Sequence, residues 1–301
     1  DQVIMNILKI GFFGDGPWAH NSLDLLIKDK KVSILFICAR NQNPDPILKS
    51  KAINLGIDFF NDSDINSKPF FKKISAYNCD LYVSMSFDQI FKTKLFSLPR
   101  LGTINCHAGK LPFYRGRNVL NWVLINDEKE FGITVHYVDE GIDTGDIIIQ
   151  KVFPVLDSDN YDSLLKVAYE NCGLLLYSAI NLIINKKVKR IKQDQISKYG
   201  LYCSQRIEGD EIINWNTSSR KIFNFIRALT LPGPCAKTYL NKNLVKIISA
   251  EEIQNAPNYI GIPGTILTKN KENFYVKTLD SYLKVTKWSS KVNLKVGSRL
   301  L

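Results

Sequence analysis

Through the first half of the chain, short apolar runs alternate with longer stretches in which apolar residues recur every three or four positions. Residues 7–13 and 32–38 have the length and near-continuous apolarity of buried strands, while 22–30 and 46–55 have helical spacing, the second ended by Gly56. A strand at 57–60, a helix at 69–77 and a strand at 81–84 continue the alternation. Strand-helix repeats of this kind predict a parallel sheet covered on both faces, with ligands beyond the carboxyl ends of the strands. Residues 160–184 read as one long amphipathic helix, and the basic run 186–192 after it as a solvated turn and strand. From Gly261 the pattern changes to short runs separated by turns, with strands expected at 274–277 and 281–286, which predicts a small antiparallel appendix after a boundary region at 250–259.

The expected fold class is therefore α/β, a Rossmann-like parallel sheet with a small β-rich C-terminal domain. The division expected is 1–200 for the catalytic sheet domain, 201–258 for a connecting segment with a helix, and 259–301 for the β-rich domain.

Composition narrows the classes of protein. The chain has 301 residues, of which 45% are hydrophobic, with 17 Gly and 11 Pro, which excludes disorder and collagen-like repeats. It is long enough to bury a large core without disulfide or metal staples. Its six cysteines form no C-x-x-C pair, which argues against a zinc knuckle or a disulfide framework and fits a reducing, cytoplasmic compartment. The opening DQVIMNILKIGFFG has too short an apolar run to span a membrane and lacks the features of a signal peptide, so Met5 is read as a candidate native start and no membrane association is expected. With 40 Lys+Arg against 29 Asp+Glu, the net charge of +11 suits an anionic partner. The glycine-rich loop 11–17 has one residue too many between its first two glycines and a proline after the third, so no nicotinamide cofactor is expected.

The segment 101–150 carries the polar residues that suggest chemistry. Asn105 and His107 are two apart, so at a strand end they point to the same side. An Asn amide can donate to a developing oxyanion while an adjacent imidazole moves protons near neutral pH. Asp143, in the turn Gly141-Ile142-Asp143-Thr144-Gly145, can orient that imidazole or relay its proton. Taken singly, each has a plainer reading, a packed structural histidine and a turn-closing aspartate.

The ordered string is more specific: Asn105-x-His107, then L-P-x-Y-R-G-R at 111–117, Asn121-Trp122, G-x-T-x-H at 132–136, and the D-x-G that begins at Asp143. It resembles the formyltransferases that use N10-formyltetrahydrofolate, a group that includes methionyl-tRNA formyltransferase and the N-formyltransferases of nucleotide-linked amino sugars. Weaker similarity continues through 212–215 and 224–228. The resemblance implies N10-formyltetrahydrofolate as cosubstrate, no metal and no covalent enzyme intermediate. It makes Asn105 the stabiliser of the tetrahedral intermediate, His107 the group that takes the proton of the attacking amine, and Asp143 their partner in proton transfer. It places the folate against Met85, Phe87, Ile90 and Asp139, although Phe87 and Ile90 fit an ordinary core role equally well.

Two departures bear on the acceptor. Many members have S-L-L-P after the histidine, whereas this chain has Ala108-Gly109-Lys110-Leu111-Pro112, and with the wording of 137–146 this is more like the enzymes acting on dTDP-linked amino sugars. The tRNA enzymes usually carry a basic loop after the second strand, but residues 40–46 here hold one arginine and one aspartate, a poor grip for a polyphosphate backbone. The expected activity is thus formyl transfer to a nucleotide-linked 3-amino or 4-amino dideoxy sugar, dTDP-linked by preference, for a surface glycan such as lipopolysaccharide O-antigen, by a homodimer. The expected diphosphate contacts are Arg115, Arg117, Asn224 and Arg227, with pairing to Asp127 or Glu130 as their structural alternative. Trp122 is read as core. Methionyl-tRNA formyltransferase is the alternative enzyme, and a non-catalytic nucleic-acid-binding protein the alternative from another class.

Overall fold

The computed structural model describes residues 7–258 and 260–301; Met5 and Tyr259, named above as a start and a boundary, lie outside them. In chain order the elements are β1 (Leu8–Gly14), α1 (Gly16–Leu26), β2 (Val32–Cys38), α2 (Pro46–Leu55), β3 (Asp58–Phe60), α3 (Lys68–Ser75), β4 (Leu81–Met85), α4 (Thr93–Phe96), β5 (Thr103–His107), β6 (Arg115–Gly116) and α5 (Val119–Ile125). They continue with β7 (Glu130–Tyr137), β8 (Ile147–Pro154), α6 (Tyr161–Ile184), α7 (Gln193–Ile196), β9 (Tyr202–Cys203), α8 (Ser219–Leu229), β10 (Ala236–Leu240), β11 (Asn243–Glu252), β12 (Ile266–Lys269), β13 (Phe274–Lys277) and β14 (Tyr282–Ser290).

The chain divides into two compact units. One holds the described residues up to Gly116 together with 132–153 and 167–202; the other holds 117–131, 154–166 and 203–301. The first is built on a sheet of order β3-β2-β1-β4-β5-β7-β8. The strands are parallel from β3 to β5, and β7 runs antiparallel to β5. Strand order reverses about β1, which leaves the loops after β1 and β4 side by side at the carboxyl edge. One face of this sheet packs aromatic side chains edge to face: Phe13 meets Phe36, Tyr82 and Phe91 with centroids 4.9–5.5 Å apart.

Local chemistry explains the element ends. Asp45 caps α2 by accepting from the N–H groups of Ile47 and Leu48, Pro46 fills the first turn, and Gly56 closes it in the left-handed conformation. The helix expected at 22–30 begins earlier, at Gly16, because Pro17 sits in its first turn, where a proline is accommodated, and not in a loop. α6 is long and apolar enough to cross a membrane by length and composition. Its apolar side is nevertheless used inside the first unit: Leu175, Leu176, Ala179 and Ile180 are buried, Cys106 Sγ donates to the carbonyl oxygen of Cys172 at 3.6 Å, and Tyr177 donates to Asp29 at 2.8 Å.

The second unit is a five-stranded antiparallel sheet, β10-β11-β14-β13-β12. Ile222, Ile226 and Leu229 of α8 share one core with Trp215, Val245, Ile247, Phe274 and Val285. This sheet extends further back than the β-rich segment expected at 259–301. The stretch 201–258, expected as a connection with a helix, carries besides α8 two strands of this sheet, β10 and β11, because β11 finds its partner in the distant β14.

Candidate active site

β5 sets the site. Asn105 and His107 lie two apart on it and so share a face, and the register opposite them is His136 for Asn105 and Thr134 for His107. Asn105, His107 and His136 therefore come together through one antiparallel pairing. Ser84 is the partner of Asn105 on the β4 side, which brings the loop after β4 beside the same residues.

Asp143 enters from the turn between β7 and β8 with a left-handed backbone, φ 54°. Its Oδ2 accepts from the Gly116 N–H at 2.9 Å and lies 3.6 Å from His107 Nδ1, while Oδ1 lies 3.5 Å from His136 Nε2. The carboxylate thus stands between two imidazoles. Burial pushes its pKa up, but the attraction of His107, the contact with His136 and the Gly116 N–H together outweigh burial and hold the carboxyl well below the usual range. Asp143 is an anion at neutral pH.

The far end of each ring is tied to a main-chain carbonyl. His107 Nε2 is 2.6 Å from the Tyr114 oxygen and His136 Nδ1 is 2.8 Å from the Tyr137 oxygen. A carbonyl only accepts, so the neutral rings carry their protons at those atoms. His136 Nε2 is then an acceptor, 3.3 Å from Asn105 Nδ2, and it sets the Asn105 amide with its nitrogen inward. The second N–H of that amide is available to a ligand. Gly109 makes the close packing around His107 attainable: a Cβ there would fall 2.2 Å from the Tyr114 oxygen and 2.4 Å from His107 Nε2.

The structure brings Asn105, His107 and Asp143 together and adds His136, which the sequence reading passed over although it closes the G-x-T-x-H string. Of the residues expected near the folate, Met85 is buried and its carbonyl accepts from the Asp15 N–H. Phe87 packs in the aromatic core against Phe13, Ile90 is exposed, and Asp139 closes its own turn by accepting from Gly141 N–H and the Thr144 hydroxyl. Among the expected diphosphate contacts, Arg117 is exposed with its guanidinium 3.4 Å from Gln205 Oε1. Arg115 donates twice to Gln193.

Asn224 and Arg227 differ from expectation. Both are buried in the second unit, where Arg227 donates to Asn224 Oδ1 and to the carbonyls of Leu156 and Asp159 and lies 3.7 Å from Asp127. A guanidinium satisfied in this way holds its own unit together, the role left as the alternative. Trp122 donates its indole N–H to the Ser204 carbonyl. Among the described residues no group of three His, Cys, Asp or Glu side chains is arranged to hold a metal ion.

Comparison with known proteins places this geometry. Residues 8–178 match the family described as Formyl transferase, and 207–295 match Formyl transferase, C-terminal domain. The methionyl-tRNA formyltransferase of Thermodesulfovibrio yellowstonii is 31% identical over 283 residues, covering 91% of this chain and 88% of its own. Among solved structures, WlaRD, a sugar 3N-formyl transferase studied in the presence of dTDP and 5-N-formyl-THF, superposes with a TM-score of 0.70 at 23% identity, covering 96% of this chain and 99% of that one. The N-formyltransferase of Helicobacter canadensis, in complex with folinic acid and dTDP-3-aminofucose, gives a TM-score of 0.69 at 25% identity, covering 94% and 100%. With more than half its length matched by the family and a near full-length relative above 30% identity, the chain belongs to the formyl transferase family.

Proposed function

We infer that this protein transfers the formyl group of N10-formyltetrahydrofolate to the primary amine of a nucleotide-linked dideoxy amino sugar, dTDP-linked by preference, in the cytoplasmic synthesis of a surface glycan. The observation that carries the reaction is the anionic Asp143 between two imidazoles beside an oriented Asn105 amide.

Bound N10-formyltetrahydrofolate would supply the formyl carbon that the amine attacks. The loop after β4 suits it, because its main chain borders Asn105 and Ser86 takes a left-handed turn there, φ 56°. In this reading the spare N–H of Asn105 donates to the formyl oxygen as it gains negative charge. His107 takes the proton of the amine at Nδ1, since Nε2 is committed to Tyr114, and Asp143 stabilises the imidazolium that results. Collapse of the tetrahedral intermediate would then break the bond between the formyl carbon and N10, and the proton held by His107 would pass to N10, so that tetrahydrofolate leaves. The remaining work is to hold two ligands together in fixed orientation. The first compact unit holds all these groups and is the catalytic part.

The loop 40–46 favours a sugar nucleotide over tRNA. Its arginine, Arg40, lies 3.4 Å from Asp15 and donates to the Ser86 carbonyl, so its charge is spent within the unit. Methionyl-tRNA formyltransferase is the second reading, favoured by the near full-length relative that bears that name. Formyl transfer measured with dTDP-, UDP- and GDP-linked 3-amino and 4-amino sugars, and with charged initiator tRNA, tests both. Rapid turnover of one sugar supports the first reading, formylation of the tRNA alone replaces it with the second, and no transfer to any acceptor overturns both.

A further inference from the structure

Asp143 has to hold its carboxylate between two rings from a backbone conformation that few residues other than glycine adopt. Its own carbonyl and that of Gly145 converge on one side of the turn, and both receive hydrogen bonds from a single amide: Gln193 Nε2 donates to the Asp143 oxygen at 2.8 Å and to the Gly145 oxygen at 2.9 Å. The other end of that amide, Oε1, accepts from Arg115 Nε at 3.1 Å and Nη2 at 2.7 Å. Guanidinium groups only donate and carbonyls only accept, so the amide has one admissible orientation, in which all four of its bonds are made. Gln193 is 4% exposed.

The neighbours hold this arrangement from outside. Ile191 exchanges two main-chain hydrogen bonds with Ile147 at the start of β8, which brings Gln193 up to the turn. Gly200 leaves the guanidinium its space, since a Cβ there would fall 2.0 Å from Arg115 Nη1. Residues 115 and 116 thereby grip Asp143 twice: the Gly116 N–H takes the carboxylate, and Arg115, through Gln193, takes the main chain.

We propose that Gln193, locked by Arg115, is a positioning residue for catalysis that fixes the Asp143 turn so that its carboxylate faces both imidazoles, and that Arg115 serves this purpose and does not bind the substrate diphosphate. The assignment rests on the reading of Asp143 as part of the formyl-transfer machinery.

The test is steady-state kinetics of Gln193→Met, Arg115→Met and Arg115→Lys, and of Gln193→Met combined with Asp143→Asn. Each folded variant, verified by thermal melting, is assayed with N10-formyltetrahydrofolate and whichever of the dTDP-, UDP- and GDP-linked 3-amino and 4-amino sugars and charged initiator tRNA the wild type formylates. Gln193→Met and Arg115→Met are expected to lower kcat by about tenfold or more with both KM values within about twofold, as when a positioned group loses its orientation. Arg115→Lys, which still donates to Oε1, recovers most of that loss. In the Asp143→Asn background Gln193→Met costs nothing further, because the carboxylate it positions is gone, whereas general loosening of the fold would add to the loss. Additive losses, or a raised acceptor KM with kcat intact in Arg115→Met, overturn the proposal. Should Gln193→Met fail to fold, the two Arg115 variants decide it. Formylation of none of these acceptors, or an Asp143→Asn protein as fast as wild type, would instead overturn the underlying reading.

Discussion

The Nε2 atom of His107 lies 2.6 Å from the main-chain oxygen of Tyr114, so this ring presents Nδ1, not Nε2, to Asp143. The contact exists because Gly109 has no side chain. Gly109→Ala is expected to force either the Tyr114 carbonyl or the ring to move, at a cost of about 1–3 kcal/mol in stability, typical of overpacking. Turnover should fall with it. A variant with an unchanged melting temperature and full kcat would show that the ring tolerates the displacement.

Loss of the proton-handling groups themselves should be more severe. His107→Asn and Asp143→Asn are each expected to lower kcat by ~10² or more with folding intact, the usual contribution of a positioned acid or base. His136→Gln should fall between these and wild type, since that ring orients Asn105 and takes no proton from the amine. Single-turnover formyl transfer separates the chemical step from product release, and near-wild-type rates for His107→Asn would reassign the base.

The stability of the fold should carry the signature of Asp143 in acid. Its carboxyl is held below the ordinary range when folded, so its contribution is complete at neutral pH and is lost as pH falls through the folded value. Denaturant unfolding of wild type and Asp143→Asn should therefore differ by a constant amount above about pH 5, with the difference shrinking below the ordinary carboxylate value of ~3.9. A difference that already changes between pH 7 and 6 would point to an imidazole as the group in control.

In the second unit, Arg220 bridges Asp127, Asp157 and Glu252. Its hydrogen bonds hold the Asp127 carboxyl well below the usual range. The side chain is about a quarter exposed, so solvent weakens the network, and Arg220→Met is expected to cost ~1 kcal/mol, at the upper end of exposed pairs. That loss should diminish at high salt. A salt-independent loss would locate the contribution in packing of the arginine stem.

The strand-helix alternation of the first unit and the bounds of α2 were legible because they rest on local chemistry: apolar period, an Asp-Pro start and a glycine stop. α1 was displaced because Pro17 reads equally well as a loop residue or as the first turn of a helix. The early strands of the second sheet escaped notice because β11 is exposed along much of its length and is stabilised by β14, some forty residues on.

By itself the sequence determined the family, through the ordered string from Asn105 to Asp143, and with it the residue types that carry the chemistry. It named Arg115, Arg117, Asn224 and Arg227 as diphosphate contacts, but held nothing to say where they point. Only the tertiary structure turned Arg227 and Asn224 inward, paired His136 with Asn105, and delivered Gln193 to the Asp143 turn. The reason is the range of the interactions: periodicity and capping act over a few residues, whereas the direction of a side chain is chosen by strand register and by hydrogen-bond partners tens of residues away.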